Sequence, residues 1–315
     1  MRQDQDQDQE RHHPLQRLFK QTLFFCLLTV LQSGCISQIA VNALGDALAG
    51  NSAGFGSDDD PELVRDASAF GLKTIEGLLG RAPEHEGLLL AATSGFTQYA
   101  YAFIQMEADY IEAEDSAEAR RLRARAYRMY KRARRYGIQA MALTLEEPIA
   151  TIRQAPDRLE LFEREQAGLL YWTAAAWAAA VGLNKDDSEL AADLNLVEML
   201  MRRVKALDPN FGGGAVHDFF FSWDAGRPAA AGGSIERAKE HYQAALAAAA
   251  GERIAPLVSY AELICVREED RECFREKLRA ALAFDLESAP QQRLVNLISR
   301  RRAEWLLTQE EDLFF

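Results

Sequence analysis

The chain of 315 residues is poor in several things at once. It holds only 4 Cys, too few for a disulfide-dense scaffold. Its 9 Pro and 20 Gly exclude a collagenous or linker-rich chain. Positive charge is short: 36 Lys and Arg face 48 Asp and Glu, a formal net charge of −12. That balance argues against a nucleic-acid binder, which carries a broad positive field. No HExxH, GxSxG or phosphate-loop motif occurs, and no pair of CxxC motifs. His12 and His13 fall in the leader, and His85, His217 and His241 show no metal-ligand spacing. No enzymatic activity, cofactor or metal is therefore expected. What remains is ordinary globular material, 48% hydrophobic and 27% charged, enough for a large core without staples.

The N-terminus reads as an export signal. Arg11, His12, His13, Arg17 and Lys20 precede an apolar run from Thr22 to Leu31, then Gln32-Ser33-Gly34-Cys35. The run is too short to span a bilayer, which needs about 20 residues. Ser33-Gly34 before a cysteine resembles a bacterial lipobox, with Cys35 as the lipidated residue. Gln32 stands where an aliphatic residue is usual, and the competing reading is an ordinary signal peptide or an uncleaved anchor. Arg2, Arg11, Arg17 and Lys20 cancel Asp4, Asp6, Asp8 and Glu10, so the mature chain keeps the charge of −12. Of the cysteines only Cys265 and Cys273 remain after Cys26 and Cys35 are set aside. A disulfide is permitted there, but two small residues on packed helices are expected.

The body reads as all-α. Prolines fall between stretches rich in Ala, Leu, Glu, Arg and Gln, all good helix formers. Leu122, Ala126, Met129, Ala133 and Tyr136 follow helical spacing on one face, with arginines on the rest. Gly137 is a plausible stop, with continuation through Ile138–Leu145 as the alternative. Pro256 and Pro290 lie one tetratricopeptide period apart, about 34 residues. Ala244-Ala245-Leu246 and Ala280-Ala281-Leu282 recur at a drifting period. These predict degenerate tetratricopeptide-like repeats in an α-solenoid-like bundle. The expected divisions are 1–34 leader, 35–60 tether with a first short helix, and 61–315 helical domain. Asp58-Asp59-Asp60 lacks calcium-loop spacing and reads as a helix N-terminus.

Three segments could carry function. Gln166 to Asn184 has no charge but is too alanine-rich for a convincing membrane span, so a buried central helix is expected. Tyr171, Trp172 and Trp177 within it either pack against neighbouring helices or line an apolar cavity. Phe211-Gly212-Gly213-Gly214 reads as a tight turn, and His217 as a satisfied structural histidine. The basic face of 120–135 is either a solvated surface paired with the acids before it or a docking surface for an acidic partner. Arg121, Arg125, Arg128 and Arg132 are its candidate docking residues.

Several blocks in order carry a family resemblance. They are SGC at 33–35, then AVNALGDALAG and SDDDPELVRDA, followed by GFTQYAYAFIQMEADYIE, YWTAAAWAAAVGLNKDD, LDPNFGGGAVHDFF, GGSIERAKEHY and RLVNLISRRRAEWLL. With these the chain resembles the TatT family, tetratricopeptide-like lipoproteins associated with TRAP transporters. The resemblance implies a periplasmic, lipid-anchored protein that associates with the substrate-binding P component. It also implies a homo-oligomer with a cavity that passes or holds a small, hydrophobic organic ligand. Ile36 after the lipidated position favours the outer membrane. The alternatives are a ligand-free scaffold for envelope assembly and a periplasmic hydrolase.

Overall fold

The computed structural model describes residues 55–314; the leader, Cys35 and most of the tether lie outside them. Among the described residues there is no strand. Helix α1 is Pro61–Leu79 and α2 is Glu86–Ala100. A π-helical turn, Tyr101–Gln105, then leads into α3, Met106–Ile111. Helix α4 is Ser116–Leu145, and after three 3₁₀ turns α5 is Ala167–Leu183. Next come α6 (Ser188–Ala191), α7 (Leu194–Leu207), α8 (Phe211–Ala225) and α9 (Ile235–Ala249). Helix α10, Ala255–Tyr260, runs into a second π-helical turn, Ala261–Cys265. Helices α11 (Arg271–Leu282), α12 (Arg293–Thr308) and the short α13 (Glu310–Leu313) complete the chain.

Local chemistry sets these boundaries. Asp60 caps α1 by accepting from the Glu62 and Leu63 amides at 3.0 Å, the role expected of the acidic run. Asp115 and Asp270 cap α4 and α11 in the same way. Gly137 does not stop α4, which continues to Leu145. The reason is packing: a Cβ on Gly137 would sit 2.1 Å from the Thr173 hydroxyl of α5. The glycine is there so that two helices can touch.

Each helix packs on its near neighbours in sequence. Helix α2 lies against α1, α4 and α5; α5 against α7; α8 against α9; α11 against α12. Helix α5 is the central element, with Leu170, Ala174, Ala176, Trp177 and Ala180 fully buried. One large core spans α1 through α8, and a second lies between α10, α11, α12 and the C-terminal Phe314. A small cluster of Phe221, Ala225, Ala238, Tyr242 and Ile264 sits between them. Pro256 opens α10 and Pro290 opens a 3₁₀ turn before α12, so both punctuate helices as expected.

The chain closes on itself. Arg302 of α12 donates to Asp109 of α3 at 3.2 Å, across 193 residues of sequence. Arg301 donates to Glu107 at 3.1 Å, and the Trp305 ring meets Tyr110 at 5.5 Å. The C-terminal helix thus returns to the N-terminal body.

Cys265 and Cys273 form a disulfide. This corrects the expectation of two separate thiols. The turn between the second π segment and α11 brings the Cα atoms to 5.7 Å, within bridging reach.

Candidate functional site

The first π-helical turn begins at Tyr101. An inserted residue in a helix rotates the side chains that follow, and such turns recur at functional sites. Burial is the main reason the Tyr101 pKa is raised, and 51% of its surface stays accessible. Its hydroxyl has no hydrogen-bond partner among the described residues. The charges acting on it are those of Glu262, Arg302, Asp109 and Asp218.

The acids among these are each held by arginine. Arg302 grips Glu262 of the second π segment through two hydrogen bonds while also reaching Asp109. Asp109 accepts a second bond from Arg123 of α4 at 3.0 Å. Asp218 pairs with Arg253, which also donates to the Gly213 carbonyl at 2.8 Å. Burial pushes the Asp218 carboxyl up and Arg253 opposes it. The turn behind this pair needs its glycines. Gly212, Gly213 and Gly214 all have positive φ, and a Cβ on Gly214 would come within 3.0 Å of the Ala245 carbonyl of α9.

Burial raises the Tyr171 pKa, with Asp218 adding to the shift and Arg253 opposing it. Its ring lies 5.0 Å from Trp172 and 4.9 Å from Phe211. Tyr171 and Trp172 each keep part of their surface accessible. Trp177 does not: 1% is accessible, its indole donates to the Leu190 carbonyl at 3.1 Å, and Arg134 covers its ring at 3.8 Å. Trp177 therefore belongs to the packed core and offers no surface to a ligand. The half-turn between positions 172 and 177 separates them.

Of the candidate docking residues, Arg121 pairs with Glu118. Arg132 lies 3.5 Å from Glu76 and over the Phe96 ring. Arg125 and Arg128 are exposed and have no carboxylate partner among the described residues. The acids before this face thus pair with only part of it. His217 is not alone: its Nδ1 lies 3.2 Å from Nδ1 of His241.

Sequence reasoning missed Tyr101, Glu262 and Arg302; it placed Asp109 among the acids that pair with the basic face, and Arg123 does pair with it. A π turn carries no local sequence signature, and the partners of Arg302 are distant in the chain. Among the described residues no group of three or more His, Cys, Asp or Glu could hold a metal ion. No helix of the described residues is long and apolar enough to cross a membrane.

These features define an all-helical body among the described residues, with α12 bonded back to α3. A family model described as TRAP transporter T-component matches residues 57–314. The chain belongs to that family of accessory transport proteins. It is also 29% identical over 265 residues to an uncharacterized protein of Treponema pallidum (strain Nichols), a match covering 82% of each chain.

Proposed function

We propose that this T component docks the periplasmic substrate-binding P component of its transporter and holds or passes a small organic ligand through its interior. The observation carrying this reading is the T-component family match over residues 57–314. Tyr171 and Trp172, both partly accessible, supply apolar surface. Arg125 and Arg128 supply the free positive charge for an acidic face of the P component. The Cys265–Cys273 disulfide fits an oxidising compartment such as the periplasm. Cys35 supplies the acyl anchor, with the outer membrane favoured. A homo-oligomer is supported by Leu63 and Phe70, 59% and 78% exposed on one face of α1.

The test is co-purification of the acylated protein with its cognate P component. Retention that falls at raised salt and in the Arg125→Glu/Arg128→Glu variant is expected. No retention of any P component sinks the docking reading. Cys35→Ala should release the protein from membranes. The scaffold alternative draws on Trp177, whose packing leaves that part of α5 solid. A hydrolase draws no support, because Asp109, Asp218 and Glu262 are all engaged by arginine.

A further inference from the structure

The second π-helical turn, Ala261–Cys265, carries two residues with different tasks. Glu262 accepts two hydrogen bonds from Arg302 of α12, and the same guanidinium donates to Asp109 of α3 at 3.2 Å. Cys265, the last residue of the turn, is bridged to Cys273 in the first turn of α11. In a regular α-helix residues three apart share a face. Here Glu262 serves α12 and Cys265 serves α11, and the wider wind of the π turn spreads their directions. The Val266 amide donates to the Ala261 carbonyl at 3.3 Å, and the Asp270 amide to the Cys265 carbonyl at 2.9 Å. Both bonds span five residues, one more than the α-helix uses. If the turn relaxes to the α wind, one side of it rotates by about 100° against the other. Glu262 and Cys265 then cannot both keep their partners.

We propose that the Cys265–Cys273 disulfide is a redox-sensitive pin for the contact between α12 and α3. While it is formed, the π turn is held in register and Glu262 keeps Arg302 aimed at Asp109. Reduction frees the turn, loosens Glu262 from Arg302 and lets α12 part from α3, where Arg301 meets Glu107 and Trp305 meets Tyr110. The contact between the two ends is thus complete only in an oxidising compartment. Cys273 is partly exposed and Cys265 buried, so exchange starts at Cys273. The thiolate of an external dithiol attacks its sulfur, and Cys265 leaves as a thiolate that takes up a proton. The second thiol of the reagent then displaces Cys273, which takes up the other proton, and the reagent departs as its own disulfide. Two electrons and two protons pass to the protein.

Hydrogen exchange on the full-length oxidised protein, before and after dithiothreitol, tests this, with free thiols counted by alkylation. Reduction should speed amide exchange in α3 and α12 by about tenfold while α5 changes little, a local opening rather than global unfolding. The Cys265→Ala/Cys273→Ala variant should show the same pattern without reagent. In Arg302→Gln the grip is already gone, so reduction should add less than about twofold in α3 and α12. A bridge that resists excess dithiothreitol in the folded protein overturns the redox sensitivity. Faster exchange confined to the π turn and α11, or spread evenly along the chain, makes the bridge a structural staple only and overturns the proposal. Acceleration in Arg302→Gln as large as in the parent removes Glu262 and Arg302 from the path and overturns it equally.

Discussion

His217 and His241 show how a single contact changes a residue's meaning. In the sequence His217 reads as a satisfied core histidine, and nothing ties it to His241, 24 residues on. In the fold their rings share one pocket, with Phe220 stacked on His241. Burial lowers both pKa values, followed by the nearby Lys205 charge. Asp218 opposes the shift at His217; at His241 Asp224 opposes it and Arg237 reinforces it. His241 is driven to about 4 from an ordinary value of 6.5. Between those values the unfolded chain binds the extra proton, so stability falls as pH drops from 6.5 toward 4. Thermal melts across this window should show that fall, and His241→Gln should flatten it. A variant that melts in parallel with the parent at every pH would refute the assignment. The disulfide is a second case at this scale. Replacing both Cys265 and Cys273 by Ala should cost about 2–4 kcal/mol in denaturant unfolding, the usual worth of a cross-link. The spacing of 8 residues is visible in sequence, but bridging depends on the turn between them.

Elements were the most legible part of the sequence, and the reason is periodicity. Ala126, Ala133 and Tyr136 do face the core from α4, with Leu122 and Met129 packed beside them. The cap at Asp60 and the glycine turn in the first residues of α8 were equally readable, because turn and cap chemistry is local. Gly137 was not, since a helix stop and a close helix crossing use the same residue. Two substitutions separate these uses. Gly137→Ala gains helix propensity but drives a methyl into Thr173, so it should destabilise by about 1–3 kcal/mol. Gly77→Ala in α1 meets nothing within 4 Å and should stabilise by about 0.5–1 kcal/mol. Opposite signs from the same chemical change are the expected outcome in denaturant titrations. The two π turns left no such trace, although they carry Tyr101 and Glu262.

Whole-molecule closure is the feature least available to sequence reasoning. An arginine-rich helix near the C-terminus reads as surface, with Glu304 the local acid at helical spacing from Arg300 and Arg301. Closure depends on α3 and α12 arriving side by side after the whole chain is laid down. Arg302 is then 12% exposed and engaged by Asp109 and Glu262 together. Removing it leaves Glu262 with no guanidinium, while Asp109 keeps Arg123. Glu262 keeps 34% of its side chain exposed, so water solvates the orphaned carboxylate in part, and Arg302→Gln should destabilise by about 1–3 kcal/mol. Asp109→Asn should cost less, because Arg302 retains Glu262. The distinguishing readout is location. Amide hydrogen exchange should accelerate in α3 and α12 together in Arg302→Gln, and little in α5, whose core does not touch the closure. If exchange instead rises evenly along the chain, Arg302 contributes global stability alone. Helices α3 and α12 then do not open as one unit.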